Sequence, residues 1–282
     1  MTLFEVLKTA QERLKSVTED NRFDSWILFS YCFGMSRSEY FSSSQSQADT
    51  KKTTEFFELV SQREKGRPLQ YIVGKWSFRD CEFYVGEGVL IPRADTECLV
   101  EEAARIINKE DVKTVYDLCS GTGCIGITLA KMFDDIEVVC FEKSDDAFDH
   151  LKKNVSLNNV KNVKAVKGDL FDGGVKYSLD SCEMIVSNPP YIRSGEIASL
   201  QKEVLLEPRE ALDGGDDGLE FYRVSKEKWF DKIISCRIII MECGDDQADD
   251  VSRVFSEYEN VSFVKDLNSI RRDVCVFKNG VK

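Results

Sequence analysis

Histidine is almost absent: the 282-residue chain carries one, His150. That excludes a histidine triad, a histidine-rich metal site and a histidine proton relay, each of which needs imidazoles the chain lacks. None of the ten cysteines forms a Cys-x-x-Cys pair, so no zinc site and no metal is expected. No apolar run approaches the ~18–20 residues that span a bilayer. The opening Met1-Thr2-Leu3-Phe4-Glu5-Val6-Leu7-Lys8 also lacks a basic segment followed by a long apolar one, so neither a secretory signal nor a membrane segment is expected. Basic residues are the minority charge, 38 against 50 acids, for a net −12. Phosphate neutralisation supplies most of the affinity for free nucleic acid, so a duplex is not the expected partner.

Hydrophobic residues make up 42% of the chain, enough to build a packed core and to argue against disorder. The length suggests roughly two domains. Most cysteines lie in apolar runs and read as small buried thiols of a reducing, cytoplasmic setting.

Residues 1–66 read as helical. Thr2 and Glu5 fit a capping box, and Leu3, Leu7, Ala10 and Leu14 then recur at helical spacing. A second apolar run, 26–33, stops at Gly34, and residues 42–47 read as a solvated polar loop. Residues 52–65 form another expected helix, ending at Gly66. Residues 67–92 then turn aromatic and β-branched. Gln70-Tyr71-Ile72-Val73 and residues 76–85, around Gly74 and a turn near Arg79-Asp80, predict a β-hairpin connector. From 93 to 282, after a helix over 95–108, strands are expected at 114–119, 137–142, 163–167, 183–187 and 237–242. Helices are expected at 124–133, 145–158, 218–235 and 246–256. This alternation implies βαβ units and a mostly parallel sheet, closed by an antiparallel pair at 261–264 and 274–277.

Asp117-Leu118-Cys119-Ser120-Gly121-Thr122-Gly123-Cys124-Ile125-Gly126 falls where a strand passes into a helix, and its glycines let backbone approach a ligand closely. Glu142 follows Gly121 by 21 residues, at the end of the next strand, where a carboxylate can hold ribose hydroxyls. The spacing alone does not separate a nicotinamide dinucleotide from S-adenosylmethionine. Asp117 tips the balance, because a carboxylate beside the loop would repel a pyrophosphate and suit a sulfonium and an ammonium group.

Ser187-Asn188-Pro189-Pro190-Tyr191 then stands at the end of the fourth strand, where open parallel sheets bind ligands. Two prolines remove N–H donors, Asn188 adds a carbonyl acceptor and Tyr191 an aromatic wall. Two acceptors, Asn188 Oδ1 and the Pro189 carbonyl, suit the NH₂ of a planar amide or amine, whose lone pair must be aligned with a methyl donor. No imidazole base is needed. His150, the tryptophans Trp26, Trp76 and Trp229, and the acids between Asp245 and Asp250 read as surface, packing and helix-start residues.

These motifs resemble the HemK/PrmC-type protein-(glutamine-N5) methyltransferases, and the resemblance covers nearly the whole chain. It includes Gly66-Arg67-Pro68-Leu69-Gln70-Tyr71-Ile72-Val73-Gly74, Leu90-Ile91-Pro92-Arg93-Ala94-Asp95-Thr96-Glu97, Asn188-Pro189-Pro190-Tyr191-Ile192, Glu207-Pro208-Arg209-Glu210-Ala211-Leu212 and the glycine-rich Asp213-Gly214-Gly215-Asp216-Asp217-Gly218-Leu219. The family usually has aspartate where Glu142 stands and proline where Ala94 stands, and residues 267–272 depart from its Leu-x-Gly-x-x-Arg pattern. The resemblance implies an α/β fold: a Rossmann-like class I S-adenosylmethionine-dependent methyltransferase domain with a mostly parallel seven-stranded sheet, and a small helical N-terminal substrate-recognition domain joined by the hairpin. It implies that Asp117, Cys119, Ser120, Gly121, Thr122, Gly123, Glu142, Asp169, Leu170 and Asn188 bind S-adenosylmethionine, with S-adenosylhomocysteine as product and Leu170 near the adenine. Asn188, Pro189 and Tyr191 would be catalytic, and with Pro190 and Arg93 would hold the glutamine of a release factor's Gly-Gly-Gln loop. Arg93 can equally pair with Glu97 at a helix start. The expected partner is a peptide chain release factor, met by a monomer. The competing readings are a ribosomal-protein glutamine methyltransferase, an adenine-N6 methyltransferase, which shares Asn-Pro-Pro-Tyr, and a non-catalytic nucleotide-binding or interaction protein.

Overall fold

The computed structural model describes residues 1–173, 181–266 and 268–278, in two compact units. The first comprises Met1–Lys75 with Gln201–Leu206. Its helix α1 (Leu3–Leu14) opens on the Thr2/Glu5 capping box, Thr2 Oγ1 accepting from the Glu5 N–H and Glu5 Oε2 from the Thr2 N–H. Asp20 caps α2 (Asn21–Phe33), which ends at Gly34 with φ +67°. A further helix, α3 (Arg37–Ser43), covers part of the stretch read as loop: Ser36 and Glu39 form a second capping box that the serine-rich composition hid. With α4 (Thr50–Glu64) these helices close over an aromatic core in which Phe29 stacks on Phe33 at 4.5 Å and Phe56 meets both rings edge-on. The buried Arg63 guanidinium donates to Asp24 Oδ2 and to Glu203 Oε1, each at 2.6 Å, which holds residues 201–206 in this unit.

The run Gln70-Tyr71-Ile72-Val73 is helical and not part of the hairpin. Pro68 and Gly74 (φ +73°) bracket one short helix, α5 (Leu69–Val73), so local start and stop signals override the β-branched composition.

The second unit, which begins at Trp76, holds the hairpin of β1 (Lys75–Phe78, all but its first residue) and β2 (Cys81–Tyr84) and the large sheet. Phe78, Cys81 and Phe83 are buried in one cluster with Leu99, Val100 and Ala103 of α6 (Thr96–Glu110), so the hairpin is part of this unit's core. The sheet takes the order β5-β4-β3-β6-β7-β9-β8, from β3 (Thr114–Leu118), β4 (Glu137–Glu142), β5 (Val163–Lys167), β6 (Met184–Ser187), β7 (Ile238–Glu242), β8 (Asn260–Lys265) and β9 (Arg271–Phe277). The first five strands run parallel, and β9 pairs antiparallel with both β7 and β8. Its central strands are continuous apolar runs because helices cover both faces; every residue of β7 is buried. Helices α7 (Cys124–Met132), α8 (Asp145–Leu157) and α10 (Ala248–Val254) complete the alternation. The expected helix 218–235 is α9 (Glu220–Val224) running into a π-helical turn, Ser225–Phe230. The departure at 267–272 begins at Leu267, outside the described residues, and its Arg271 and Arg272 open β9.

From β3 the chain runs outward through β4 to β5 and then returns to place β6 on the other side of β3. Strand order therefore reverses between β3 and β6, where an open α/β sheet leaves a crevice at its carboxyl edge.

Candidate active site

At that edge β3 gives way to a loop whose residues Cys119, Gly121 and Gly123 all have positive φ, +58°, +55° and +81°. Gly123 is favoured by its positive φ, and a β-carbon there would also lie 2.4 Å from Leu151 Cδ1, which would have to move. A β-carbon on Gly126 would lie 2.5 Å from Cys140 Sγ, which is the close helix-to-strand contact that the third glycine of such loops permits. The loop is pinned from the next strand. Glu142 Oε2 accepts from the Gly121 N–H at 2.8 Å and its Oε1 from the Ser144 N–H at 2.7 Å. Burial pushes the Glu142 pKa above its ordinary value, against the lowering pull of those N–H groups.

Asp117 differs from expectation. It is fully buried, does not line the cavity, and turns its Oδ2 to the Gly126 N–H at 3.0 Å. A helix N-terminus attracts anions, and here the chain's own carboxylate already sits against it. The preference against a pyrophosphate stands, for a different reason: Asp117 occupies the dipole from inside the fold instead of facing a sulfonium.

The cavity brings together Cys119, Ser120, Gly121, Thr122 and Glu142 with Asp169, Leu170, Asn188, Pro190 and Arg93. Asp169 Oδ1 caps the turn at Phe171, and its Oδ2 pairs with Lys143 at 2.9 Å. Leu170 is held by the buried Trp229, whose indole N–H donates to the Leu170 carbonyl at 2.8 Å. Pro189 and Tyr191 do not line the cavity. Pro189 is buried, and Tyr191 packs against the core cluster that holds Leu219, Tyr222 and Trp229, where burial raises its phenol pKa.

Arg93 pairs with the buried Glu207 and not with Glu97, which instead accepts from the Arg79 N–H at 3.1 Å. Glu207 also takes the Ile91 N–H at 2.9 Å, so one carboxylate fixes the Ile-Pro-Arg segment at the cavity wall. The glycine-rich segment braces the other wall. A β-carbon on Gly214 would sit 2.7 Å from Tyr191 Cα, and one on Gly218 would sit 2.5 Å from the Tyr191 carbonyl, which accepts from Gln247 Nε2 at 2.8 Å.

Three residues escaped the sequence reading. Thr96 lines the cavity, accepts from Asn188 Nδ2 at 3.1 Å and donates to Glu242 Oε2 at 2.6 Å. Glu242 opposes Asp273 in the β7–β9 register, and neither Asp273 oxygen has a hydrogen-bond partner among the described residues. The one available signal was an acid closing an otherwise apolar strand, Ile238-Ile239-Ile240-Met241-Glu242.

Burial pushes Asp117 and Glu242 up to about 7 and Asp273 up to about 8. A carboxyl whose folded pKa exceeds its unfolded one binds protons more tightly in the native state. Its contribution is therefore full below the unfolded pKa and is lost as pH rises through the folded one. The melting temperature of the ligand-free protein is expected to fall between about pH 5 and 8. Asp273→Asn should flatten that slope and raise Tm near pH 8, with little change at pH 5. An unaltered slope in differential scanning calorimetry would show that Asp273 is not the group responsible.

The donor set fits S-adenosylmethionine. Glu142 presents a carboxylate at the strand end that is anchored by backbone N–H groups and can also accept from a ribose hydroxyl. Leu170, Phe171, Phe221 and Ala147 offer flat apolar surface for a purine. Of the charged groups lining the cavity, Lys143 pairs with Asp169 and Arg93 with Glu207, which leaves the carboxylates of Glu142 and Glu210, so the lining favours a cation.

Two family models match the chain: the PrmC N-terminal domain over residues 5–74 and the methyltransferase small domain over residues 96–224. A release factor glutamine methyltransferase of Clostridium acetobutylicum is 36% identical over 92% of this chain and 92% of its own length. One from Thermodesulfovibrio yellowstonii is 37% identical over 78% of this chain and 80% of its own. Among solved structures, the hMettl16 catalytic domain in complex with a MAT2A 3′UTR hairpin superposes with a TM-score of 0.56 at 15% identity, covering 83% of this chain and 84% of that one. That likeness shows the fold alone, a class I methyltransferase sheet. With a relative this similar along almost its whole length, the chain belongs to the release factor glutamine methyltransferase family.

Proposed function

We propose that this protein transfers the methyl group of S-adenosylmethionine to the side-chain amide nitrogen of the glutamine in the Gly-Gly-Gln motif of peptide chain release factors. What carries the reading is one juxtaposition: Asn188, at the end of β6, shares a cavity with the glycine loop and with Glu142. Its Nδ2 is engaged by Thr96, while its Oδ1 has no partner among the described residues. S-adenosylmethionine supplies an electrophilic methyl group when bound. Glu142 and the loop would hold its ribose, with Leu170 beside its base.

The protein's own task is to hold an amide nitrogen. That nitrogen is a poor nucleophile because its lone pair is delocalised. Asn188 Oδ1, which does line the cavity, would accept one of its N–H bonds, setting the lone pair's direction and stabilising positive charge as it builds on nitrogen. The nitrogen then releases a proton to water, so no strong base is required. Buried Glu207 would keep Arg93 and the Ile91 backbone at the wall where the substrate loop enters. All cavity-lining residues belong to the methyltransferase unit, which leaves recognition of the factor's body as the proposed task of the helical unit.

The test is transfer of labelled methyl to intact release factor, to the same factor with its motif glutamine changed to alanine, and to a short Gly-Gly-Gln peptide. Label confined to the intact glutamine, with kcat/KM higher for the factor than for the peptide, is the expected result. Equal label on the alanine version would overturn the assignment, and equal efficiency on peptide and factor would overturn the recognition role. Transfer to naked oligonucleotide would revive the adenine reading, which the net charge of −12 disfavours.

A further inference from the structure

A buried hydrogen-bond chain runs from the cavity to the interior: Asn188 Nδ2 donates to Thr96 Oγ1 at 3.1 Å, and Thr96 Oγ1 donates to Glu242 Oε2 at 2.6 Å. Thr96 and Glu242 are each 1% exposed, so the bond between them is shielded from bulk water. A hydroxyl carries one proton. While Glu242 is ionised it can only accept, which commits that proton to the carboxylate and leaves the Thr96 oxygen as an acceptor. The Asn188 amide is then obliged to turn its NH₂ inward and its carbonyl oxygen outward.

We propose that Thr96 and Glu242 are positioning residues that set the orientation of the Asn188 amide, and so decide whether the site presents an acceptor or a donor to the substrate nitrogen. This inference rests on the reading of Asn188 given above. Neither residue touches the substrate amide. Protonation of Glu242 would reverse the chain: the acid donates to Thr96, Thr96 donates to Asn188 Oδ1, and the NH₂ is turned outward. An outward NH₂ cannot accept the N–H of a glutamine amide.

The surroundings keep that reversal within reach of ordinary pH. Burial is the main influence and pushes Glu242 up to about 7. Arg272 and Arg93 favour its ionised form, while Asp95 opposes it, as does Asp273 across the β7–β9 pairing. Tyr191, Tyr222, Cys124 and Cys243, which also feel the Glu242 charge, are all raised by burial and stay neutral in this range. Tyr222 donates its hydroxyl to the Glu242 backbone carbonyl at 2.8 Å, which fixes the residue without competing for its carboxylate.

The experiment uses the full chain with intact release factor and labelled S-adenosylmethionine, with cofactor affinity measured by calorimetry. Thr96→Val keeps shape and removes both hydrogen bonds; kcat is expected to fall roughly 10- to 100-fold. KM for the factor and Kd for the cofactor should stay within about threefold, and Thr96→Ser should restore most of kcat. Wild-type kcat should rise with pH through about 7, and Glu242→Gln, which does not titrate, should lose that limb. Because substitutions at a buried pair can unfold the protein, melting temperature is recorded for each variant, and the Thr96→Ser rescue and the pH profile do not depend on Thr96→Val folding. If the wild type is active and Thr96→Val matches it, or if Thr96→Ser fails to recover kcat, or if Glu242→Gln keeps the pH limb, the relay is overturned and the function stands. A wild type that leaves the factor unmethylated overturns the functional reading, and the relay with it.

Discussion

Asn188→Ala is expected to lower kcat for release-factor methylation by roughly 10²- to 10³-fold, the range seen when one preorganised hydrogen-bond group is removed from an active site. The cofactor Kd should move by no more than about threefold, because the ribose anchor and the loop that carries it lie on β3 and β4 and share no hydrogen bond with Asn188. Stability should change little. Removing the side chain frees Thr96 of one bond but leaves its donation to Glu242 intact, so no buried donor loses its only partner. Asn188→Asp is the sharper variant. It preserves shape but replaces the NH₂ with an oxygen, which must then share the Thr96 oxygen's surroundings with a second acceptor and a buried carboxylate. Steady-state kinetics paired with isothermal calorimetry separates the outcomes. A Kd that rises as far as kcat falls would mean Asn188 serves cofactor binding and not the amide.

The parts of this site that were legible in the sequence are those whose chemistry is local. A glycine loop between a strand and a helix is readable because positive φ at Gly121 and Gly123 is a backbone requirement, and Glu142 is readable because its distance from the loop is fixed by one helix and one strand. The sheet is readable because its strands are short apolar runs alternating with helical periodicity, and even the antiparallel closure shows as two such runs with no helix between them. What was not legible depends on contacts between segments far apart in the chain. Thr96 and Glu242 are separated by 146 residues, and nothing local to either announces a hydrogen bond. Arg93 offered Glu97 as a partner within one helical turn, yet Glu207, 114 residues away, takes it because that carboxylate is buried beside the Ile91 N–H. Asp117 was misread in direction: the motif places it beside the ligand loop, but only packing decides whether a strand-end carboxylate faces the cavity or the helix. The short helix Leu69–Val73 was missed for the opposite reason, since a β-branched composition outweighed the Pro68 and Gly74 punctuation that governs so short a segment.

Glu142→Ala is expected to weaken S-adenosylmethionine binding about 100-fold or more, with a smaller effect on kcat at saturating cofactor. One carboxylate does two jobs. It accepts the Gly121 and Ser144 N–H groups, and in the reading above it also takes the ribose hydroxyls. Hydrogen bonds to a charged group are worth about 1.5–3 kcal/mol, and an orphaned buried donor costs about 1–3 kcal/mol. Loss of one such bond to the ligand, together with a loosened loop, reaches the ~2.7 kcal/mol that a 100-fold change in Kd represents. The conservative variants discriminate between charge and shape. Glu142→Gln keeps one acceptor but points an NH₂ at either the Gly121 or the Ser144 N–H, a donor facing a donor, so it should approach the alanine variant despite its matching size. Glu142→Asp keeps both acceptors on a shorter stem, and the family usually carries aspartate here, so it should bind the cofactor far better than Gln does. Burial raises the Glu142 pKa, so wild-type affinity should fall as pH drops through that raised value, and the Gln variant should lose the dependence. Calorimetric titration as a function of pH measures both effects. A Gln variant that binds as tightly as wild type would show that the ribose is held by the loop alone, and that Glu142 acts only as the loop's internal brace.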